Sequence, residues 1–394
     1  PIGKDIRKIA VIGRNAEELT QSGGMGAGVK SVYEITPLQG LRNLAPEGVE
    51  ITYAPAYKNY LGMFARWRGP DFLAQHPEIA AEIDEPADPE LLAEALAVAA
   101  EADLVIYFFG TNKSIETEGA DRTDIKLPLD QERICAEIAA VNPNIVGVMI
   151  SGGPCELSGI NDYAHALVQG WWNGLEGGNA LAEILYGNIS PSGKLPFTFP
   201  MKLEDSPAYA LDNYPQKAEV EGDLFGNQYR RDIQGQKKRP VWPAMYQTTA
   251  YYSEGPLVGY RWFDTKNVPV MYSFGHGLSY VDFEYSDIHA RKRRNSVDVV
   301  FSITNRGDMD AEEVAQLYVH RVNPTVEWPA KELKAFDRIR IKAGETRKVK
   351  LVIPVDELRF WDESINGWNL EHGAMDILVG SASDDIRLTT KIDI

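Results

Sequence analysis

The chain has 394 residues, enough at roughly 150 residues per domain for two or three domains. Its 57 acidic residues outnumber 40 basic ones, and the resulting charge of −17 repels phosphate backbones, which excludes nucleic acid as an expected partner. A composition of 44% hydrophobic and 25% charged residues is that of an ordinary globular protein, and no apolar run approaches the ~20 residues of a membrane helix.

Residues 6–13 contain the short β-branched run KIAVIG, the pattern of a buried strand. Residues 49–53 are a second apolar run. Residues 91–102 are rich in Ala, Leu and Glu and read as a helix. They feed the strand-like LVIYFF core of residues 103–110. Residues 130–141 are again helical, with Ile134, Ile138 and Val141 on one face. Strands follow at 144–151 and 166–171, and a helix at 176–186. Strands alternating with helices predict a mostly parallel sheet covered on both faces, with its site on loops beyond the strand C-termini. From about residue 201 to 252 the sequence is irregular and long for a connection. From about 287 the pattern becomes short alternating strands, at 296–304, 314–320, 338–341, 348–353, 376–379 and 386–392. About seven such strands predict an immunoglobulin-like sandwich. The expected fold class is thus an α/β sandwich domain (1–205), a loop-rich connector packing back on it (206–286), and a β-sandwich (287–394).

Cys135 and Cys155 are too few for a disulfide scaffold, and two buried thiols are the simpler reading than one bridge. No His/Cys cluster has zinc-ligand spacing, so no metal is expected. No G-x-S-x-G elbow occurs. The glycine run at 23–28 sits about ten residues beyond its strand, too far for a dinucleotide cradle. The basic runs at 237–239 and 291–294 read as solvated surface. The start at Pro1, without an initiator Met or signal-peptide pattern, reads as processed, truncated or split. Nothing in the composition separates a cytoplasmic from a periplasmic or secreted location.

The loop after the 103–110 strand holds Glu116, Glu118, Asp121 and Arg122. One reading is a solvated acidic loop with an ion pair. The other is a general acid/base, because a second carboxylate or burial raises a carboxyl pKa toward neutrality. Trp171 and Trp172 are core packing or a stacking face for a sugar ring.

Further residues carry a family resemblance. IAVIGRNA (9–16), TPLQGL (36–41), EGADRTDIKLPLDQ (118–131), WNGLEGGNALAEILYGNISPSGKLPFTFP (172–200), EGPLVGYRWFD (254–264) and FGHGLSY (274–280) occur in this order, followed by EEVAQLYVH, PAKELKAFDRI and SASDDIRL. Together they resemble the C-terminal half of glycoside hydrolase family 3. The resemblance implies an α/β sandwich followed by a fibronectin type III-like domain, and retaining exo-hydrolysis of β-glucosides, with β-xylosides as the alternative substrate. It implies Glu118 as general acid/base with Glu116 in reserve, Asp121 and Arg122 as loop support, and Trp171 and Trp172 near the sugar. No metal or organic cofactor is required. The family's Asp nucleophile lies on a (β/α)8 barrel that these 394 residues do not contain, so a barrel domain or subunit is the expected partner, with homo-oligomer formation left open. A non-catalytic carbohydrate-binding or assembly module is the rival reading.

Overall fold

The computed structural model describes residues 1–19, 29, 31–58, 77, 88–113, 115–116, 122, 124–213 and 251–394. Five parallel strands form the first sheet: β1 (Lys8–Ile12), β2 (Glu50–Ala54), β3 (Leu104–Gly110), β4 (Ile145–Ile150) and β5 (Ala166–Gln169), in the order β2-β1-β3-β4-β5. Every residue of β3 is buried, because helices cover both faces. Alternate side chains of each strand therefore enter different cores. Ala10, Ile12, Val105, Tyr107 and Phe109 meet Ala95 and Ala99 of α2 (Pro89–Ala100) and Ile134 and Ile138 of α3 (Gln131–Val141). Ile9, Val11, Ile106, Phe108 and Val148 meet Leu38 and Leu41 of α1 (Pro37–Asn43) and Leu181 and Leu185 of α4 (Gly177–Leu185).

Helix α1 begins with a reciprocal capping box. The Gln39 N–H donates to Thr36 Oγ1, the Thr36 N–H donates to Gln39 Oε1, and Pro37 occupies the first turn. Its contact with α4 is made by glycines. A methyl on Gly40 would sit 2.0 Å from the Gly178 carbonyl, and one on Gly178 would sit 2.0 Å from the Thr36 carbonyl oxygen. Gly178→Ala is expected to destabilise the chain by about 1–3 kcal/mol through this overpacking. Chemical denaturation reads it, and an unchanged midpoint would remove the close contact from the account.

Because β1 leads to β2 on one side and β2 leads back to β3 on the other, the loops after β1 and β3 diverge. That divergence opens a crevice at the C-terminal edge of the sheet. Beyond the sheet, β6 (Phe199–Pro200) pairs antiparallel with β7 (Val270–Tyr272), and α5 (Tyr260–Lys266) precedes β7.

The second unit is the predicted sandwich. One sheet has the order β12-β9-β8 and the other β11-β10-β15-β16. The strands are β8 (Phe283–Lys292), β9 (Ser296–Asn305), β10 (Ala311–Arg321), β11 (Glu332–Ile341), β12 (Thr346–Pro354), β15 (Ala374–Gly380) and β16 (Ile386–Asp393). Between β12 and β15 lies a small hairpin, β13 (Phe360–Asp362) with β14 (Gly367–Asn369). Val299, Phe301, Leu317, Ile341, Leu351 and Ile377 are among the residues that fill the space between the sheets. Strand β8 is absent from the sequence-based reading. Its alternation, Phe283 and Tyr285 inward, breaks at a bulge between Ser286 and His289, where Asp287 takes φ 58°, and resumes one residue out of phase.

A buried polar cluster joins the two units. Lys194, after α4, donates to the Gly277 carbonyl at 2.7 Å and lies 3.7 Å from Glu313 of β10. Glu313 accepts from the Tyr285 hydroxyl at 2.8 Å. Gln316, also on β10, donates to the carbonyls of Gly275 and Ser381. Burial pushes the Glu313 carboxyl up, against the opposing pull of Lys194, Tyr285 and Arg387, and pushes the Lys194 ammonium down.

Candidate active site

Three segments meet at the C-terminal edge of the sheet: the described residues 111–113, 115–116 and 122 after β3, Ser151 to Cys155 after β4, and Gly170 to Trp172 after β5. Glu116 ties them together. Its Oε2 accepts from the Gly152 N–H at 2.7 Å and from the Trp172 indole N–H at 2.7 Å. Its Oε1 accepts from the Gly153 N–H at 3.3 Å and lies 3.8 Å from the Arg122 guanidinium. Both partners of that ion pair are largely buried, with side chains 15% and 17% exposed. Arg122 also donates to the Pro154 carbonyl at 3.1 Å and reaches the Cys155 sulfur at 3.8 Å. Gly152 permits the approach, since a Cβ there would meet Glu116 Oε2 at 2.9 Å and the Trp172 ring at 3.0 Å. The Glu116 N–H closes a turn onto the Asn112 carbonyl at 2.9 Å.

Both oxygens of Glu116 are thus engaged by the protein's own donors. Glu116→Ala would strand the Gly152 and Trp172 N–H groups, and a loss of about 1–3 kcal/mol in unfolding free energy is expected. A urea transition unmoved by the substitution would refute the anchoring.

The Asn15 loop after β1 closes the other side of the crevice. Asn15 donates from Nδ2 to the Thr111 carbonyl at 2.9 Å, and the Tyr57 hydroxyl lies 2.5 Å from Asn15 Oδ1 and 3.0 Å from the Phe108 carbonyl. A small hollow lined by Asn15, Glu18, Thr111, Lys113, Ile150 and Trp172 has a volume of about 10 Å³, room for about one water molecule. Burial raises the Glu18 carboxyl above its usual range, opposed by Arg14 and Lys113.

Of the residues singled out from sequence, the structure brings Glu116, Arg122 and Trp172 together. Trp171, at φ 58°, turns away to pack edge-on against Phe197, ring centroids 5.6 Å apart. Glu118 and Asp121 lie outside the described residues, as do the whole 23–28 glycine run and residues 214–250 of the connector. The sequence-based reading missed Gly152 and Gly153, whose N–H groups hold Glu116. A Gly-Gly pair directly after a buried strand was the available signal. Both cysteines are free and buried, and burial pushes the Cys155 thiol up to about 11 and Cys135 up to about 12, so both stay protonated and unreactive near neutrality.

Fold and site define a two-domain chain whose candidate chemistry sits on loops at the C-terminal edge of a parallel sheet, followed by a fibronectin-like sandwich. Residues 1–280 match the glycosyl hydrolase family 3 C-terminal domain, and residues 313–383 match the fibronectin type III-like domain. The chain belongs to glycosyl hydrolase family 3. The β-glucosidase BoGH3A of Bacteroides ovatus is 32% identical over 100% of this chain and 48% of its own length. An exo-α-(1→6)-L-arabinopyranosidase of Bifidobacterium longum is 31% identical over 98% of this chain and 44% of its own length. The crystal structure of a Bifidobacterium adolescentis family 3 β-glucosidase superposes with a TM-score of 0.80 at 30% identity, covering 99% of this chain and 49% of that one. The chain spans about half the length of the curated relatives it matches, and corresponds to their C-terminal half.

Proposed function

We propose that this chain is the acid/base half of a retaining, exo-acting β-glucosidase that releases terminal non-reducing β-D-glucosyl residues. The nucleophile in this reading is an Asp on a (β/α)8 barrel outside these 394 residues. Retention requires two carboxyl groups about 5–5.5 Å apart. The first attacks the anomeric carbon and expels the leaving oxygen. The second gives that oxygen a proton, then takes one from the water that releases the sugar. Glu118 is assigned the second role.

One observation supports this assignment above the others. Glu116, two residues before Glu118, is fixed by donors from the β4 and β5 loops and by Arg122. Its oxygens are committed to holding the root of the loop, which favours Glu118 over Glu116 for proton exchange. Arg122 supports the same root through Glu116 and Pro154, and Asp121 is assigned to loop support beside it. Trp172 acts here through its indole N–H on Glu116.

Relatives of nearly equal similarity are named for different sugars, a β-glucosidase at 32% and an α-L-arabinopyranosidase at 31% identity. Choice of sugar, glucoside against xyloside included, is accordingly assigned to the barrel. The test is reconstitution. The chain alone should leave 4-nitrophenyl β-glucoside intact, and the chain with its barrel should hydrolyse it. Turnover by the chain alone, or by the barrel alone at the same rate, would contradict the division of labour. In the assembled enzyme Glu116→Ala should lower kcat with little change in KM and displace the acid/base limb of the pH profile, and Glu116→Gln should recover part of both. A pH profile untouched by Glu116→Ala would restrict this residue to stability.

A further inference from the structure

The sandwich carries a second concave surface, built by residues remote in sequence from the Glu116 loop. On the β13–β14 hairpin Trp361 stands directly opposite Trp368, with ring centroids 5.8 Å apart and planes at 85°. The two side chains are 50% and 64% exposed. Paired indoles left in water at one spot mark a contact surface, because burying them against a ligand is favourable. Beside them opens a cleft of about 400 Å³ whose walls include Trp328, Phe360 and Trp361 together with the carboxylates of Glu327 and Glu363. That volume lies within the range of small-ligand sites.

The walls are held in place. The guanidinium of Arg321, itself buried, lies 4.1 Å from the centre of the Trp328 ring, and Phe360 meets that ring edge-on at 6.0 Å. Arg321 is in turn fixed by donation to the Leu358 carbonyl. Asp362 closes the hairpin by accepting from the Ser364 N–H at 2.9 Å, the Ser364 hydroxyl at 2.6 Å and Asn369 Nδ2 at 2.8 Å. A preorganised wall lowers the ordering entropy lost on binding.

Aromatic faces beside carboxylates suit one ligand chemistry well. The C–H face of a pyranose ring covers an indole, and its hydroxyl groups donate to Glu327 and Glu363. A polyanion is repelled by those charges, and a wholly apolar partner would desolvate them without hydrogen bonds. We propose that this cleft is a non-catalytic binding site for a neutral oligosaccharide chain, with Trp361 as its stacking platform. The choice of a saccharide rests on the reading of the chain as part of a glycoside hydrolase, but its test uses no catalysis.

The 394-residue chain is titrated calorimetrically with cellohexaose and, separately, laminarihexaose. Saturable binding of at least one is expected, Trp361→Ala should weaken it by about five-fold or more, and Trp361→Phe should keep most of it. Trp361 is exposed, so circular dichroism of the variants should match the parent. No binding of either oligosaccharide would overturn the proposal, as would binding indifferent to Trp361→Ala, or occupation by tetramethylammonium in place of sugar. None of these results bears on Glu118, which is tested by turnover.

Discussion

Glu118→Ala in the enzyme assembled with its barrel is expected to lower turnover of a β-linked glucose disaccharide by about 10²–10⁴-fold, the usual contribution of a positioned acid/base. The loss should depend on the leaving group. A sugar hydroxyl departs only when protonated, so the first step collapses with the disaccharide. A dinitrophenolate departs without help, so the aryl glucoside should still load the enzyme in a burst of one equivalent. Release of the sugar then stalls, because no group takes the proton from water. Stopped-flow absorbance separates the two phases. Equal losses on both substrates, or disaccharide turnover near the parent rate, would remove Glu118 from the role.

Lys194→Met is expected to destabilise the chain by about 3 kcal/mol, because it removes the ammonium that faces the buried Glu313 carboxyl between the two domains. Glu313 is 4% and Lys194 11% exposed in their side chains, so water does little to compensate. The sign of the pH dependence follows from burial, which raises the Glu313 carboxyl above its ordinary value of 4.5. A group whose pKa is raised on folding favours the folded state below its unfolded value, and that contribution is lost as pH rises through the folded value. Tyr285, Arg387 and Asp385 still face Glu313 in the variant, but the ammonium is gone and the carboxyl rises further. The deficit of Lys194→Met should therefore be largest near neutrality and shrink toward pH 4.5. Urea unfolding at several pH values reads this directly. A deficit constant with pH would assign the effect to packing of the lysine stem.

The fold was legible where burial was extreme. Strands β1, β3 and β4 are continuous apolar runs because helices cover both faces, and β9 alternates over most of its length because one face is buried. Legibility failed where a local device reset the period. The Asp287 bulge hides β8, and α1 is only seven residues long. The three-residue strands of the Trp361–Trp368 hairpin are too short to show any period. The candidate site was legible only as a loop. The carboxylate-rich loop and the 118–131 family motif pointed to this stretch, but the donors that hold Glu116 arrive from the ends of two other strands, at Gly152, Gly153 and Trp172. The Gly152-Gly153 pair after a buried strand marks a loop of free N–H donors, but not the carboxylate that they meet. Composition likewise could not show that Trp172 offers an N–H to a carboxylate while Trp171 packs on Phe197. The role of Lys194 is not legible locally, because its partner Glu313 lies in the next domain.

Glu118 is assigned here to a retaining mechanism whose nucleophile lies on the barrel. The most direct measurement is the product that Glu118→Ala enzyme forms from dinitrophenyl β-glucoside in the presence of azide. Azide needs no general base and attacks the glycosyl-enzyme from the face opposite the nucleophile. Restored turnover and β-glucosyl azide, identified by its anomeric proton coupling in NMR, are the expected result. An α-glucosyl azide, or no rescue by azide while the variant remains folded and loaded, would contradict it.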